Sequence, residues 1–220
     1  MSESCLLPDF DSGEAALQAQ QLFNLQGRIK ALAGERDLNF LIETDRGRFV
    51  FKIANANESA AMLECQHLVF EEMARQRVFA RVATPLSSLN GRQVETLLSK
   101  SGSQHLCRVL PFIEGQLLSS VAAPTEALLQ DLGKNLGRLD LALQSFSHKA
   151  LDRHILWNSC DAEQTLASFK PLLATQSQRQ LIEHFEAGFR GRVLAQQADL
   201  RRSVIHNDAN DNNVLIDDQQ

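Results

Sequence analysis

Hydrophobic spacing divides the chain into stretches of different period. Over residues 13–25, Ala15, Ala16, Ala19, Leu22 and Phe23 recur every three or four positions, which predicts an amphipathic helix. The period then drops to two. Asn39–Thr44 and Arg48–Ala54 read as strands, and Asp45-Arg46-Gly47 between them has turn chemistry, so the pair predicts a hairpin. In the second strand Phe49, Phe51 and Ile53 share one face, while Val50, Lys52 and Ala54 share the other. Residues 58–76 return to helical spacing, with Met62, Leu63, Val69, Phe70 and Met73 as the apolar stripe, and further strands are expected near 78–84, 92–98 and 105–111. Consecutive strands on tight turns with one helix among them predict an antiparallel sheet with a packed helix.

The pattern changes after Pro111-Phe112-Ile113-Glu114-Gly115. From Thr125 onward it is mainly helical. Leu128, Leu132, Leu136, Leu139, Leu143 and Phe146 form one stripe, and a later helix near 178–196 carries Leu181, Ile182, Phe185, Phe189 and Val193. The expected class is α+β in two unlike lobes: a sheet-rich lobe over 1–111 and a helical lobe over 112–220. A cleft between such lobes is a usual ligand site.

Composition narrows the function classes. A net charge of −5 gives no electrostatic footprint for nucleic acid. No uncharged apolar run approaches the ~20 residues of a membrane span, and Met1-Ser2-Glu3-Ser4-Cys5 lacks a basic, apolar leader. The cysteines at 5, 65, 107 and 160 have neither zinc-knuckle nor redox-pair spacing, and read as reduced thiols of a cytoplasmic protein.

The candidate chemistry lies near the C-terminus, in Val204-Ile205-His206-Asn207-Asp208-Ala209-Asn210-Asp211-Asn212-Asn213-Val214-Leu215-Ile216. Asp and Asn favour turns, which explains the composition of the loop but not its flanks, where one short apolar strand is expected to lead in and a second to lead out. A bracketed His-x-Asp-x-x-x-x-Asn is the layout of a kinase catalytic loop. In that layout Asp208 accepts the proton of the attacking hydroxyl, Asn213 reaches a magnesium ion on the nucleotide phosphates, and His206 braces the loop.

Lys52 is the second candidate. By itself, a mid-strand lysine opposite Phe49, Phe51 and Ile53 is explained by a solvated sheet face. The kinase layout needs such a lysine on the nucleotide phosphates, steadied by a helix carboxylate. Glu64 is the natural partner, ahead of Glu58, Glu71 and Glu72. Val50, on the face of Lys52, would line the adenine pocket. Leu32–Phe40 sits where a phosphate-covering loop would lie. Its single Gly34 makes a weak cradle, Arg36 could assist, and a plain polar connector explains it equally well.

These residues resemble the aminoglycoside phosphotransferase family, which shares the protein-kinase-like fold. That family's catalytic loop reads His-Gly-Asp with Asn five residues on. Here His206, Asp208 and Asn213 match, and Asn207 replaces the glycine. The phrases Gly34–Phe40, Phe51–Ala54, Leu136–Asp140, Leu156-Trp157 and Val204–Asp211 are similar to the hydroxylysine kinase-like branch, which includes kinase-like domains preceding class III aminotransferases in fused proteins. The resemblance implies Asp208 as catalytic base, and Asn213 together with Asp208 on Mg2+. It also implies Lys52 on the phosphates, held by Glu64, and a hinge over Leu110–Ile113, including Phe112, that meets adenine. ATP or GTP would be the donor, and the acceptor a hydroxyl on an amino alcohol or hydroxy amino acid.

One departure bears on activity. The family delivers a second metal aspartate from the strand after the loop, and Asp217 and Asp218 fall too near Asn213 to serve. The helical lobe is therefore expected to be incomplete. The alternative function is a non-catalytic or truncated kinase-like fragment, such as the N-terminal part of an aminotransferase fusion. A protein kinase is disfavoured by the absence of an activation loop.

Overall fold

The computed structural model describes residues 7–156 and 158–217. Cys5 with the rest of residues 1–6, Trp157, and Asp218 with the two residues after it lie outside them.

The chain opens with α1 (Ser12–Phe23), capped by a reciprocal pair: Asp11 accepts from the Glu14 amide and Glu14 accepts from the Asp11 amide. Three strands follow, β1 (Arg28–Leu32), β2 (Leu38–Thr44) and β3 (Gly47–Ile53), then α2 (Ala60–Arg75), β4 (Glu95–Leu98) and β5 (Gln104–Pro111). They form a five-stranded antiparallel sheet in the order β1-β2-β3-β5-β4. The β2–β3 hairpin turns at Gly47, whose φ of 128° suits glycine.

Alternation along the strands makes two faces. Phe40, Ile42, Phe51, Ile53, Cys107 and Val109 point to one face and are buried with Ala15, Ala19 and Phe23 of α1. The other face carries Asn39, Leu41, Val50, Lys52, Arg108 and Leu110, and α2 reaches it through Gln66, which accepts from Arg108.

Beyond β5 come the short β6 (Gln116–Leu117) and the helices α3 (Glu126–Ala142), α4 (Ala162–Phe169) and α5 (Gln176–Arg192). Finally β7 (Leu215–Ile216) pairs antiparallel with β6. The main-chain amides of Leu118 and Ser119 donate to Val214 and Asp211, so this small ribbon fixes the exit of the Asp/Asn-rich loop. A smaller core of Val78, Leu139, Ala142 and Leu143 joins the segment after α2 to the end of α3. Among the described residues no helix is long and apolar enough to cross a membrane.

Four expectations need correcting. The strand expected near 78–84 does not form. Val78 is drawn into the helical core, and the segment makes a single ladder-like bond to the sheet, from the Leu86 amide to the Val109 carbonyl. The strand expected near 92–98 is confined to Glu95–Leu98. No strand leads into the loop at Val204-Ile205. The α5 stripe is not a core face: Leu181, Phe185 and Val193 are exposed, and the buried residue of the helix is Glu186, an acceptor for Lys170 and Arg190. Three elements were not anticipated, β1, β6 and α4. β1 reads as a mixed polar segment because one edge of it is unpaired, and it is mostly exposed.

Candidate active site

The His206–Asn213 loop folds on its own side chains. Asn210 Nδ2 donates to Asp208 Oδ1 at 2.8 Å, and Asn213 Nδ2 donates both to Asp208 Oδ2 and to its main-chain oxygen, each at 2.8 Å. Both carboxylate oxygens are thus held by amides, with lone pairs left for an incoming hydroxyl. Asp208 itself is exposed. Asn213 spends its side-chain donors on Asp208. His206 Nδ1 accepts the Asp208 main-chain N–H at 3.3 Å. The imidazole is exposed, so it steadies the backbone of Asp208 rather than bracing the loop from a buried position.

The turn through Asn207 has φ 62°, in the left-handed region. Glycine enters that region without penalty, and Asn is among the few other residues that do so readily. Asn207 therefore meets the same backbone demand as the glycine it replaces in the resemblance.

This loop borders a cavity of about 1010 Å³ between α2 and α3. Met62, Gln66 and Met73 line it from α2, Leu128, Leu132 and Leu136 from α3, and His206, Ala209 and Asn213 from the loop. The leucine stripe of α3 thus faces the cavity.

On the sheet, Lys52 is half-buried. Burial lowers its pKa, nearby Arg108 lowers it further, and Asp37 opposes both. The expected partner is not there: Glu64 is exposed on α2, and among the described residues no ion pair joins it to Lys52. The helical geometry explains this. Leu63, Cys65 and His67 are the buried positions of α2, which turns Glu64 to solvent. Glu58 lies 3.9 Å from Arg153 instead, and Glu72 pairs with Arg75.

The partners sequence reasoning missed lie beside Lys52 in the sheet. Antiparallel register sets Asn39 of β2 and Arg108 of β5 directly opposite Lys52 of β3, on one face. Arg108 is a lone charged residue in an apolar run, Cys107-Arg108-Val109-Leu110, and that isolation was the available signal. Asp37 turns towards this row. Its Oδ1 accepts from the Asn55 main-chain and side-chain N–H groups at 3.0 and 3.1 Å.

Gly34 lies in the β1–β2 loop. A Cβ there would fall 2.3 Å from the Asp37 carbonyl oxygen, so close packing of the loop on itself accounts for the glycine. Arg36 is exposed. Val50 shares the face of Lys52 and is partly buried between Leu41 and Leu110 in register.

At the end of β5 the Phe112 main-chain N–H donates to the Arg48 carbonyl at 2.9 Å, and the Phe112 ring lies under the Arg48 guanidinium, 4.4 Å from its carbon to the ring centroid. Within the Leu110–Ile113 backbone expected to meet adenine, the Phe112 N–H is thus engaged by the sheet. The alternation of an antiparallel ladder turns the Pro111 carbonyl to the opposite, open edge.

The residues fit a hard divalent cation. Magnesium takes oxygen ligands, commonly one or two carboxylates with phosphates and water. Asp208 and Asn213 Oδ1 would supply two oxygens. Among the described residues no group of three or more His, Cys, Asp or Glu side chains converges on one point, and Asp217 forms an ion pair with Arg81 at 2.7 Å.

Comparison with known proteins agrees with this architecture. The hydroxylysine kinases of Mus musculus and Bos taurus are each 26% identical to this chain over 239 residues, covering 98% of it and 61% of the relative. The chain thus spans about three-fifths of the length of these curated relatives. Among solved structures, an amicoumacin kinase in complex with AMP-PNP, Ca2+ and amicoumacin superposes with a TM-score of 0.61 at 18% identity, over 88% of this chain and 55% of that one. A spectinomycin phosphotransferase in complex with ADP and spectinomycin gives a TM-score of 0.60 at 11% identity, over 96% and 67%. These neighbours establish the fold as that of the protein-kinase-like phosphotransferases. The model of the phosphotransferase enzyme family matches residues 28–220, and the chain belongs to that family.

Proposed function

We propose that this chain carries the nucleotide-binding sheet and the catalytic loop of a small-molecule kinase. It would transfer the γ-phosphoryl group of ATP to a hydroxyl on an amine-bearing acceptor of the hydroxylysine or amino-alcohol class. The carrying observation is the loop in which Asn210 and Asn213 hold both carboxylate oxygens of Asp208. The similarity to hydroxylysine kinases supports the acceptor class.

In this reading Asp208 accepts a hydrogen bond from the acceptor hydroxyl, orients it, and takes its proton as the new P–O bond forms. Asn213 Oδ1 and Asp208 would hold Mg2+. The cation, when bound, neutralises phosphate charge. Lys52 contacts the phosphates from β3, Val50 roofs the base, and adenine meets the open edge of β5 at Pro111 and Ile113. Phosphoryl transfer asks mainly for positioning and charge neutralisation, so a sparse set is chemically sufficient.

A second reading, nucleotide binding without transfer, is favoured by one observation: among the described residues no group of three or more His, Cys, Asp or Glu side chains converges on a metal position. The two separate in one experiment. Purified chain is incubated with MgATP and a panel of 5-hydroxylysine, ethanolamine and choline, and ADP release is followed beside Asp208→Ala. Acceptor-dependent release in the wild type alone supports the kinase. ATP binding with no release above the variant on any acceptor supports the second reading and overturns the first.

A further inference from the structure

The sheet holds a cation that the proposed chemistry has not used. Arg108 is 6% exposed, and its Nη2 donates to Gln66 Oε1, a neutral acceptor, at 2.5 Å. Its Nη1 is buried with no hydrogen-bond partner. The ladder places it directly opposite Lys52, where side chains approach within about 5 Å at Cβ. Two like charges in that relation repel, and a buried N–H without an acceptor is costly.

Asp37 and Glu58 offset part of the Arg108 charge through space, but neither accepts a hydrogen bond from the guanidinium. Asp37 is committed to Asn55, and Glu58 accepts from the Ser59 amide and lies near Arg153. The adjacent His67 is also buried, with Nε2 unpartnered. A pair of cations set side by side on a rigid ladder, one half-open and one with a free N–H, is suited to an anion with several oxygens.

We propose that Arg108 is a second phosphate-binding cation, which joins Lys52 to form a two-pronged receptor for a polyphosphate chain. Gln66 fixes the guanidinium plane from α2 and leaves Nη1 for the phosphate. The pair takes the place that a lysine–carboxylate pair with Glu64 was expected to fill. For a nucleotide ligand this rests on the reading that Lys52 faces the phosphates of ATP. The ligand class itself, a polyphosphate anion, follows from the two cations alone.

The test is calorimetric titration of the purified chain with MgATP, adenosine and inorganic tripolyphosphate. Wild type is compared with Arg108→Gln and Arg108→Lys, with circular dichroism and a urea midpoint for each. Arg108→Gln is expected to weaken MgATP and tripolyphosphate about tenfold or more, as loss of a charged hydrogen bond does, and to leave adenosine unchanged. Arg108→Lys, which keeps the charge and loses the fork, is expected to fall between, and it decides the matter should the glutamine variant not fold.

Unchanged MgATP and tripolyphosphate affinity in a folded variant overturns the role of Arg108 and leaves the nucleotide reading standing. Equal weakening of adenosine assigns Arg108 to packing alone and overturns it too. Tripolyphosphate binding that depends on Arg108, without ATP binding, supports the receptor and removes the nucleotide reading. Binding of neither ligand by the wild type overturns both.

Discussion

Phe51 and Phe185 have the same side chain and opposite surroundings. Phe51, in the middle of the sheet, is fully buried, while Phe185, on α5, is 64% exposed. The contrast runs through the molecule. The sheet packs α1 on one face, so the apolar positions on that face are enclosed. The helices after residue 125 enclose less. α3 buries Leu139 and Ala142 and turns its upper leucines to the cavity, while α4 and α5 meet along a groove lined by Leu166, Ile182 and Phe189. Similar hydrophobicity therefore means different stability in the two regions. The sheet supplies a rigid platform for Lys52 and Arg108, and the loop at 206–213 depends on its own hydrogen bonds and the β6–β7 ribbon for its shape.

The largest effect that would sharpen this contrast is at Phe51. Phe51→Ala is expected to cost about 3–5 kcal/mol in urea unfolding, whereas Phe185→Ser is expected to stay within about 0.5 kcal/mol. Equal losses would break the comparison. Amide exchange should agree, with β2, β3 and β5 slowest and α4 and α5 opening at lower free energy.

The next effect depends on pH. Burial, with Arg108 close by, pushes the pKa of His67 down to about 4 from an ordinary 6.5. The folded state thus prefers the neutral ring. Its contribution is complete above pH 6.5 and is lost as pH falls towards 4, by about 2–3 kcal/mol. Urea midpoints from pH 7 to pH 4 should show this slope, and His67→Leu should flatten it. A slope that survives the substitution would assign it to other groups.

A smaller effect tests the loop. At φ 62°, Asn207→Gly should leave stability within about 0.5 kcal/mol, while Asn207→Val should cost about 1–2 kcal/mol. Thermal unfolding distinguishes the two. An equal tolerance of valine would contradict the left-handed turn.

Much of this was legible in the chain itself. Period-two alternation located β2, β3 and β5, because each is enclosed on at least one face and its inward residues must be apolar. The His206–Asn213 spacing located the loop, because local hydrogen bonds over two to five residues are written in the sequence. What could not be read was register. The pairing of Lys52 with Arg108, 56 positions apart in a chain of 220, depends on how two strands align, and no local pattern encodes it. Glu64 is the choice among the glutamates near Lys52, yet the turn of α2 decides which side chain reaches the sheet, and that is Gln66. The α5 stripe misled for the same reason. Periodicity shows that a face is apolar and does not show what covers it.

Phosphorus NMR of the purified chain with MgATP and 5-hydroxylysine tests the central claim most directly. The account predicts a new phosphate-ester resonance that grows with loss of the γ-phosphate signal and is absent in Asp208→Asn. An ester that forms at the same rate in Asp208→Asn, or ATP consumed only to inorganic phosphate, would contradict it.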